Sequence, residues 1–453
     1  MLLQPPKQII SQIIGQKSNS NSASQGLRGE IKVPADKSIA QRSVIISGIA
    51  SGKTAIKNFP NSGDPQTSLR AMESLGVQIE KSLIDNELNL IIHGKGDSGL
   101  EEPNDVINCE NSGTCMRLLM GLLSGHKPNF FTTLTGDQSL QKRPMKRIAD
   151  PLRSLGAQIF GRNGGNLSPI SVIGQKMKGE YIETSIASAQ LKSALLLSCL
   201  NTESAITVKE PAYSRNHTEL MLQQFGAKLE KLDDLTTKLT PSKLIGSDII
   251  IPGDISSAAF LLIAGSIVPN SEITIKEVGL NSTRAGIIQI LKSMGAQIET
   301  EVLSSSIGEP FGNLTVKSSE LHGIEISGSI IANIIDELPI ISIAAAQAKG
   351  TTIIKDAEEL RVKESDRLKA MANLLKGLGV KVEETHDGLI IEGLAGKPFE
   401  PINSDFEAGH DHRIAMTVGI ASLRSTKPLN LHGAEWANIS FPGFFDLLNK
   451  LSS

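Results

Sequence analysis

Six short segments of this 453-residue chain carry side chains suited to holding anions and moving protons. In Pro34-Ala35-Asp36-Lys37-Ser38-Ile39-Ala40-Gln41-Arg42, a small residue, a Lys and a Ser precede an apolar helical run. Free backbone N–H groups at a helix start, with a hydroxyl and a cation, suit a phosphate or carboxylate. Asn111-Ser112-Gly113-Thr114-Cys115-Met116-Arg117 describes a second such start, without the Lys-Ser/Thr pair of a Walker loop. Gln141-Lys142-Arg143-Pro144-Met145-Lys146-Arg147 sets four cations in six residues, with Pro144 suited to a first helical turn. In Glu358-Glu359-Leu360-Arg361-Val362-Lys363-Glu364-Ser365-Asp366-Arg367-Leu368, a helix would line Arg361, Glu364 and Arg367 along one face. Gly409-His410-Asp411-His412-Arg413 opens an apolar helix with an arginine; its two His lack the spacing and companion ligands of a metal site. Ile334-Ile335-Asp336-Glu337-Leu338-Pro339-Ile340 places two acids in an apolar stretch, where a carboxyl pKa is tunable for proton transfer. Read singly, these segments are equally capped surface helices, a solvated basic face, a salt-bridged exposed helix and, for Asp336, the N-cap of a helix over 340–348.

The elements that must position these residues announce themselves by repetition. A helix-like run ending in a large residue, then Gly, then Ala or Val, then a strand start, occurs five times, centred on Gly76, Gly156, Gly226, Gly295 and Gly379. Gly stops a helix in the left-handed conformation, and apolar or β-branched residues then begin a strand. The chain reads as one α/β unit copied, with Phe444–Leu451 ending a sixth copy before its Gly. Pro252-Gly253-Asp254 and the stretch Gly29–Ala35 mark the crossings between two halves of three units each.

Composition excludes several classes. Net charge is −3 and aromatics are 3% with one Trp, which argues against nucleic-acid binding and base-stacking platforms. No apolar run reaches the length of a membrane span. Cys109, Cys115 and Cys199 have no metal or disulfide spacing, which points to a reducing compartment. Residues 1–25 are polar, Ser-rich and acid-free, and read as a flexible cytoplasmic leader.

Taken jointly and in order, Lys37-Ser38, Asn111–Arg117, Lys142-Arg143-Pro144, Ser188-Ala189-Gln190, Asp336-Glu337, Arg361–Arg367 and Asp411-His412-Arg413 resemble the 5-enolpyruvylshikimate-3-phosphate synthase family. The resemblance runs from about Gly26 to the C-terminus. Ser188-Ala189-Gln190 and Glu359–Leu368 look most like a bacterial subgroup that includes glyphosate-tolerant members. It implies an α/β fold: a two-domain inside-out α/β barrel with three βαβαββ units per domain, the enolpyruvyl transferase fold. The first domain is expected over 36–252, and the second over 26–35 plus 253–453, with the active site in the cleft between them.

The resemblance further implies transfer of the enolpyruvyl group of phosphoenolpyruvate to the 5-hydroxyl of shikimate 3-phosphate, with release of phosphate, in chorismate and aromatic amino acid synthesis. About six negative charges would then gather in one site, since each phosphate carries roughly −1.5 to −2. Lys37, Ser38, Arg42, Ser188, Ala189, Gln190, Arg215, Asp336 and Lys363 would bind shikimate 3-phosphate. Lys37, Asn111, Gly113, Thr114, Arg143, Gln190, Arg367 and Arg413 would bind phosphoenolpyruvate. Asp336 would accept the hydroxyl proton, and Glu364, with Lys37, would handle the proton on the methylene carbon. No cofactor or metal, no nucleic acid and no membrane is expected, and the enzyme would be a cytoplasmic monomer.

Five positions depart from the family pattern: Ala35 where Gly is usual before the Lys-Ser pair, Ala40 and Gln41 where Ser-His or Ser-Asn is usual, Glu110 where Gly is usual, and Ile439 where many members carry Lys. Two other readings compete. One is UDP-N-acetylglucosamine enolpyruvyl transferase, which normally has Lys-Asn in place of Lys37-Ser38. The other is a phospho-metabolite-binding protein derived from the synthase.

Overall fold

The computed structural model describes residues 8–9, 26–61, 63–84, 87–96, 99–304 and 308–452; apart from 8–9, the leader expected over 1–25 lies outside them. The chain forms two compact units. The first comprises residues 35–252 with 308–309, and the second 26–34, 253–304 and 310–452, together with 8–9.

Among the described residues, the first unit holds three four-stranded sheets of one topology. In each, an edge strand runs parallel to its neighbour and two further strands follow antiparallel. The edge strands are Ile249–Ile250, Ile107–Asn108 and Tyr181–Glu183. Alternating burial, as in Leu167–Ile173, turns one sheet face inward. Three helices fill the interior: Lys37–Ile49, Gly113–Ser124 and Ala189–Ser198. They are buried around most of their circumference, and polar residues such as Gln41, Arg42, Arg117 and Lys192 are enclosed along with the apolar ones. Two of them approach closely enough that a Cβ on Gly121 would fall 2.2 Å from the Ala194 carbonyl oxygen. A buried ionic triad, with Lys192 Nζ 2.7 Å from both Glu210 and Glu219, ties the third helix to the helix His217–Gln224.

The second unit repeats the plan. Arg28–Lys32 is the parallel edge of one sheet and Glu325–Ile326 of the next. In the last sheet Asp405–Glu407 runs parallel to Asn430–His432, which pairs antiparallel with Gln8–Ile9. The buried helices here are Ile255–Ile267, Leu338–Gln347 and His412–Ser422.

All five marker glycines adopt positive φ, between 81° and 103°. After each, the Ala or Val N–H bonds back to the carbonyl five residues earlier, as in Val77 to Met72 and Val380 to Leu375, both near 3 Å. This is the Schellman closure that only Gly enters without strain. The strands Gln78–Ile84, Gln158–Gly161, Lys228–Lys231, Gln297–Ser304 and Val382–Glu384 then start two or three residues on.

Three sequence expectations are corrected. Arg361, Glu364 and Arg367 do not share a helix face: a 3-10 turn covers Glu358–Val362 and the α-helix begins at Arg367, capped by Asp366. Arg361 instead donates to Glu384 (2.8 Å) and to the Thr385 and His386 carbonyls. Pro144 lies before its helix, Lys146–Ser154, rather than in its first turn. Glu337, not Asp336, holds the N-cap position of the helix Leu338–Gln347.

Candidate functional site

In both units the chemistry-bearing residues gather at the starts of the buried helices. In the first unit, Asp36 caps its helix by accepting from the Ser38 and Ile39 N–H groups, leaving Lys37 and Ser38 in the first turn. Ser112 caps the helix of Gly113 and Thr114 through Cys115 N–H, and Ser188 caps that of Ala189 and Gln190 through Leu191 N–H. The second and third helices have neutral serine caps and no acid in the first turn, so the positive ends of their dipoles are left to an anion or to solvent, whereas the Asp36 carboxylate meets that of the first.

Side chains knit these starts together. Gln190 Nε2 donates to Thr114 Oγ1 at 2.9 Å, and its Oε1 accepts from Arg117 at 2.7 Å. Arg143 donates to Asn111 Oδ1 at 2.8 Å, and Asn111 donates on to Asp137. Arg42 is buried and donates to Ser38 carbonyl (2.9 Å), Thr218 (2.8 Å) and Ser193 (3.3 Å), while Ser193 in turn donates to the Ala189 carbonyl. Burial pushes the Arg42 pKa down to about 10 against the pull of Glu219; Arg215 adds to the lowering, which places it near this guanidinium. Lys37 reaches Asp64 at 3.3 Å rather than any of these groups.

The departures have structural partners. Gln41 is buried and its Oε1 accepts from Ser112 Oγ at 2.6 Å and from Ser68 at 3.3 Å, so it braces the cap of the second helix. Ala40 is fully buried. Glu110 sits at φ 47°, where Gly would be unstrained, and is held by Arg70 (2.7 Å) and Thr67 (2.9 Å). Ile439 ends a 3-10 turn and is exposed.

In the second unit Arg367 is the hub. Only 1% exposed, it donates to Asp411 from Nε (2.8 Å) and Nη2 (3.3 Å) and meets Glu364 at 2.7 Å and Asp336 at 3.6 Å. Burial opposes its charge, but Asp411, Glu364 and Asp336 outweigh it and hold the guanidinium above its ordinary value. Asp411 also caps the helix His412–Ser422 through Arg413 N–H (2.9 Å) and accepts from Ser365 (3.0 Å). Burial disfavours its ionisation, yet Arg367 prevails and its pKa lies below the usual value. Arg413 faces Glu337 at 3.8 Å. Arg284 faces Glu337 at 3.5 Å and Asp336 at 3.9 Å. Lys363 turns to Glu359 at 2.9 Å and does not join the hub.

Sequence reasoning assigned no role to Arg117, Asp411, Glu337 or Arg284. The first three lay inside motifs it quoted. For Arg284 the signal was available: Asn281-Ser282-Thr283-Arg284 is another polar run with an arginine just before an apolar helix, Gly286–Ser293. Among the described residues no three His, Cys, Asp or Glu side chains gather as a metal site. No described helix is long and apolar enough to cross a membrane.

The chain as a whole has counterparts among known proteins. The profile of EPSP synthase (3-phosphoshikimate 1-carboxyvinyltransferase) matches residues 22–448. A 3-phosphoshikimate 1-carboxyvinyltransferase of Bacillus subtilis is 45% identical over 428 residues, covering 94% of this chain and 98% of its own. Another, from Synechococcus, is 45% identical over 434 residues, covering 95% and 96%. The structure resembles EPSP synthase from Acinetobacter baumannii with a TM-score of 0.87 and 40% identity, over 95% of this chain and 96% of that one. The enolpyruvyl transferase NikO from Streptomyces tendae, 16% identical with a TM-score of 0.74 over 95% and 96% of the two chains, shares the fold. With a family profile spanning nearly the whole chain and relatives matched along almost their full length, the chain belongs to the EPSP synthase family.

Proposed function

We propose that the chain transfers the enolpyruvyl group of phosphoenolpyruvate to the 5-hydroxyl of shikimate 3-phosphate and releases phosphate, in chorismate and aromatic amino acid synthesis. The observation that carries this reading is the first unit's cluster of Arg117, Arg143 and Gln190 around the helix start at Gly113 and Thr114. Fixed cations and N–H groups stabilise phosphate charge without reorganising during reaction.

The two clusters serve one substrate pair in this proposal. Lys37, Ser38, Arg42, Ser188, Gln190, Arg215 and Lys363, with the Ala189 backbone, hold shikimate 3-phosphate. Asn111, Gly113, Thr114, Arg143, Arg367 and Arg413 hold phosphoenolpyruvate, with Lys37 and Gln190. The 5-hydroxyl oxygen bonds to the donor's central carbon as its proton passes to Asp336. The methylene carbon takes a proton from Glu364, assisted by Lys37, giving a tetrahedral ketal. Return of a methyl proton re-forms the double bond as the carbon–oxygen bond to phosphate breaks.

Phosphate release with phosphoenolpyruvate is expected with shikimate 3-phosphate as acceptor and absent with UDP-N-acetylglucosamine. The reverse result assigns the chain to the sugar-nucleotide enzyme, and silence with both assigns it to a binding protein. We place the enzyme in the cytoplasm, in keeping with three buried free thiols, and as a monomer. Light scattering at twice the chain mass overturns the last point.

Ser188-Ala189-Gln190 and Glu359–Leu368 support placement with the subgroup that includes glyphosate-tolerant members, while Gly113 supports room for the longer inhibitor. A Cβ there would lie 3.0 Å from Arg117 Nη1 and 3.6 Å from Arg143 Nη1. Gly113→Ala is therefore expected to raise the glyphosate inhibition constant by a larger factor than the KM for phosphoenolpyruvate. Equal factors count against this account.

A further inference from the structure

Arg117 is the anomaly of the first unit. It is 5% exposed, and its guanidinium meets only neutral acceptors: Gln190 Oε1 at 2.7 Å and the Pro144 carbonyl at 3.3 Å. Its Nε has no hydrogen-bond partner, and no carboxylate among the described residues forms an ion pair with it. The charged groups that act on it are the cations Arg147 and Arg143. Every other buried Arg or Lys described above has a carboxylate in contact or, like Arg42, is pulled by one nearby. An unneutralised buried cation is costly in the free protein. The cost is offset when an anion binds beside it.

We propose that Arg117 is a positioning and specificity residue of the donor half-site: it orients the Gln190 amide toward Thr114, fills the space beside Gly113, and supplies buried positive charge that an incoming phosphate neutralises. Three observations converge on this. Gln190 spans Arg117 and Thr114, so its two ends are fixed by one residue on each side. Arg117 Nη1 stands 3.0 Å from where a side chain at position 113 would begin, so residue 117 decides what position 113 tolerates. Burial, with Arg143 and Arg147, pushes its pKa down to about 9, the shift expected of a cation awaiting a counter-charge. The inference rests on the synthase reading.

The test uses the full chain as Arg117→Met, Arg117→Lys, Gly113→Ala and the double variant Gly113→Ala/Arg117→Met. Turnover by the unaltered chain comes first; its absence sinks the synthase reading and leaves this inference without a reaction. Given turnover, Arg117→Met is expected to raise the KM for phosphoenolpyruvate at least tenfold. The dissociation constant for shikimate 3-phosphate, measured calorimetrically, should rise by a clearly smaller factor, because Gln190 is only one of several groups assigned to that substrate. Arg117→Lys, which keeps charge but loses the planar bond to Gln190, should fall between, and it carries the test if the Met variant does not fold. Inorganic phosphate should raise the melting temperature of the unaltered chain more than that of Arg117→Met. The KM penalty of Gly113→Ala should shrink at least threefold in the Arg117→Met background, because the obstructing Nη1 is gone. Parallel losses in both substrates with a lower melting temperature, or strict additivity of the two substitutions, would overturn the proposal.

Discussion

Asp336→Asn is expected to lower turnover by ~10²–10⁴-fold, the range for losing a positioned general base. Shikimate 3-phosphate binding should change far less. The substitution is close to isosteric, so it removes basicity rather than shape. The helix start does not depend on it, because Glu337 occupies the N-cap position. Asp336 lies 3.6 Å from Arg367 and 3.9 Å from Arg284, two buried guanidinium groups that fix where an incoming hydroxyl must present its proton. Steady-state phosphate release and calorimetry of shikimate 3-phosphate binding measure the two halves of this prediction. Unchanged turnover removes Asp336 from the base role.

Asp411→Asn carries the largest expected effect on stability. Arg367 and Asp411 are both almost wholly enclosed, 1% and 0% exposed, and joined by two hydrogen bonds. Removing one partner of such a pair costs about 3–5 kcal/mol when the other charge is left uncompensated, and because Glu364 and Asp336 still face Arg367 the loss should lie toward the lower end of that range. The urea midpoint should fall accordingly, and the KM for phosphoenolpyruvate should rise as Arg367 loses its tether. The pH dependence follows from the direction of the shift. Asp411 titrates below its ordinary value in the folded chain, so its contribution is present above the unfolded pKa of about 3.9 and is lost as pH falls through the folded value. Acid unfolding of the unaltered chain should therefore contain a component below about pH 4 that Asp411→Asn lacks. An identical urea midpoint would show that the pair contributes nothing.

Much of the candidate site's local architecture was legible because helix starts are local events. A capping Asp or Ser, a free first turn and an apolar run can be read within ten residues, and Lys37-Ser38, Gly113-Thr114, Ala189-Gln190 and Arg413 all lie at such starts. Local spacing also misled. Arg361 and Arg367 look equivalent on a helical wheel, yet a 3-10 turn separates their fates: Arg361 faces the partly exposed Glu384, and Arg367 is sealed against Asp411.

By itself the amino-acid order determined the repeated α/β unit, since a left-handed Gly after a helix and a β-branched strand start are decided by backbone sterics within a few residues. Only tertiary structure decided which buried polar and charged groups meet one another. Arg367 meets Asp411 across 44 positions, Gln190 meets Arg117 across 73, and Gln41 braces Ser112 across 71. The energy of a buried charge depends on what surrounds it in three dimensions, and no stretch of neighbouring residues carries that information.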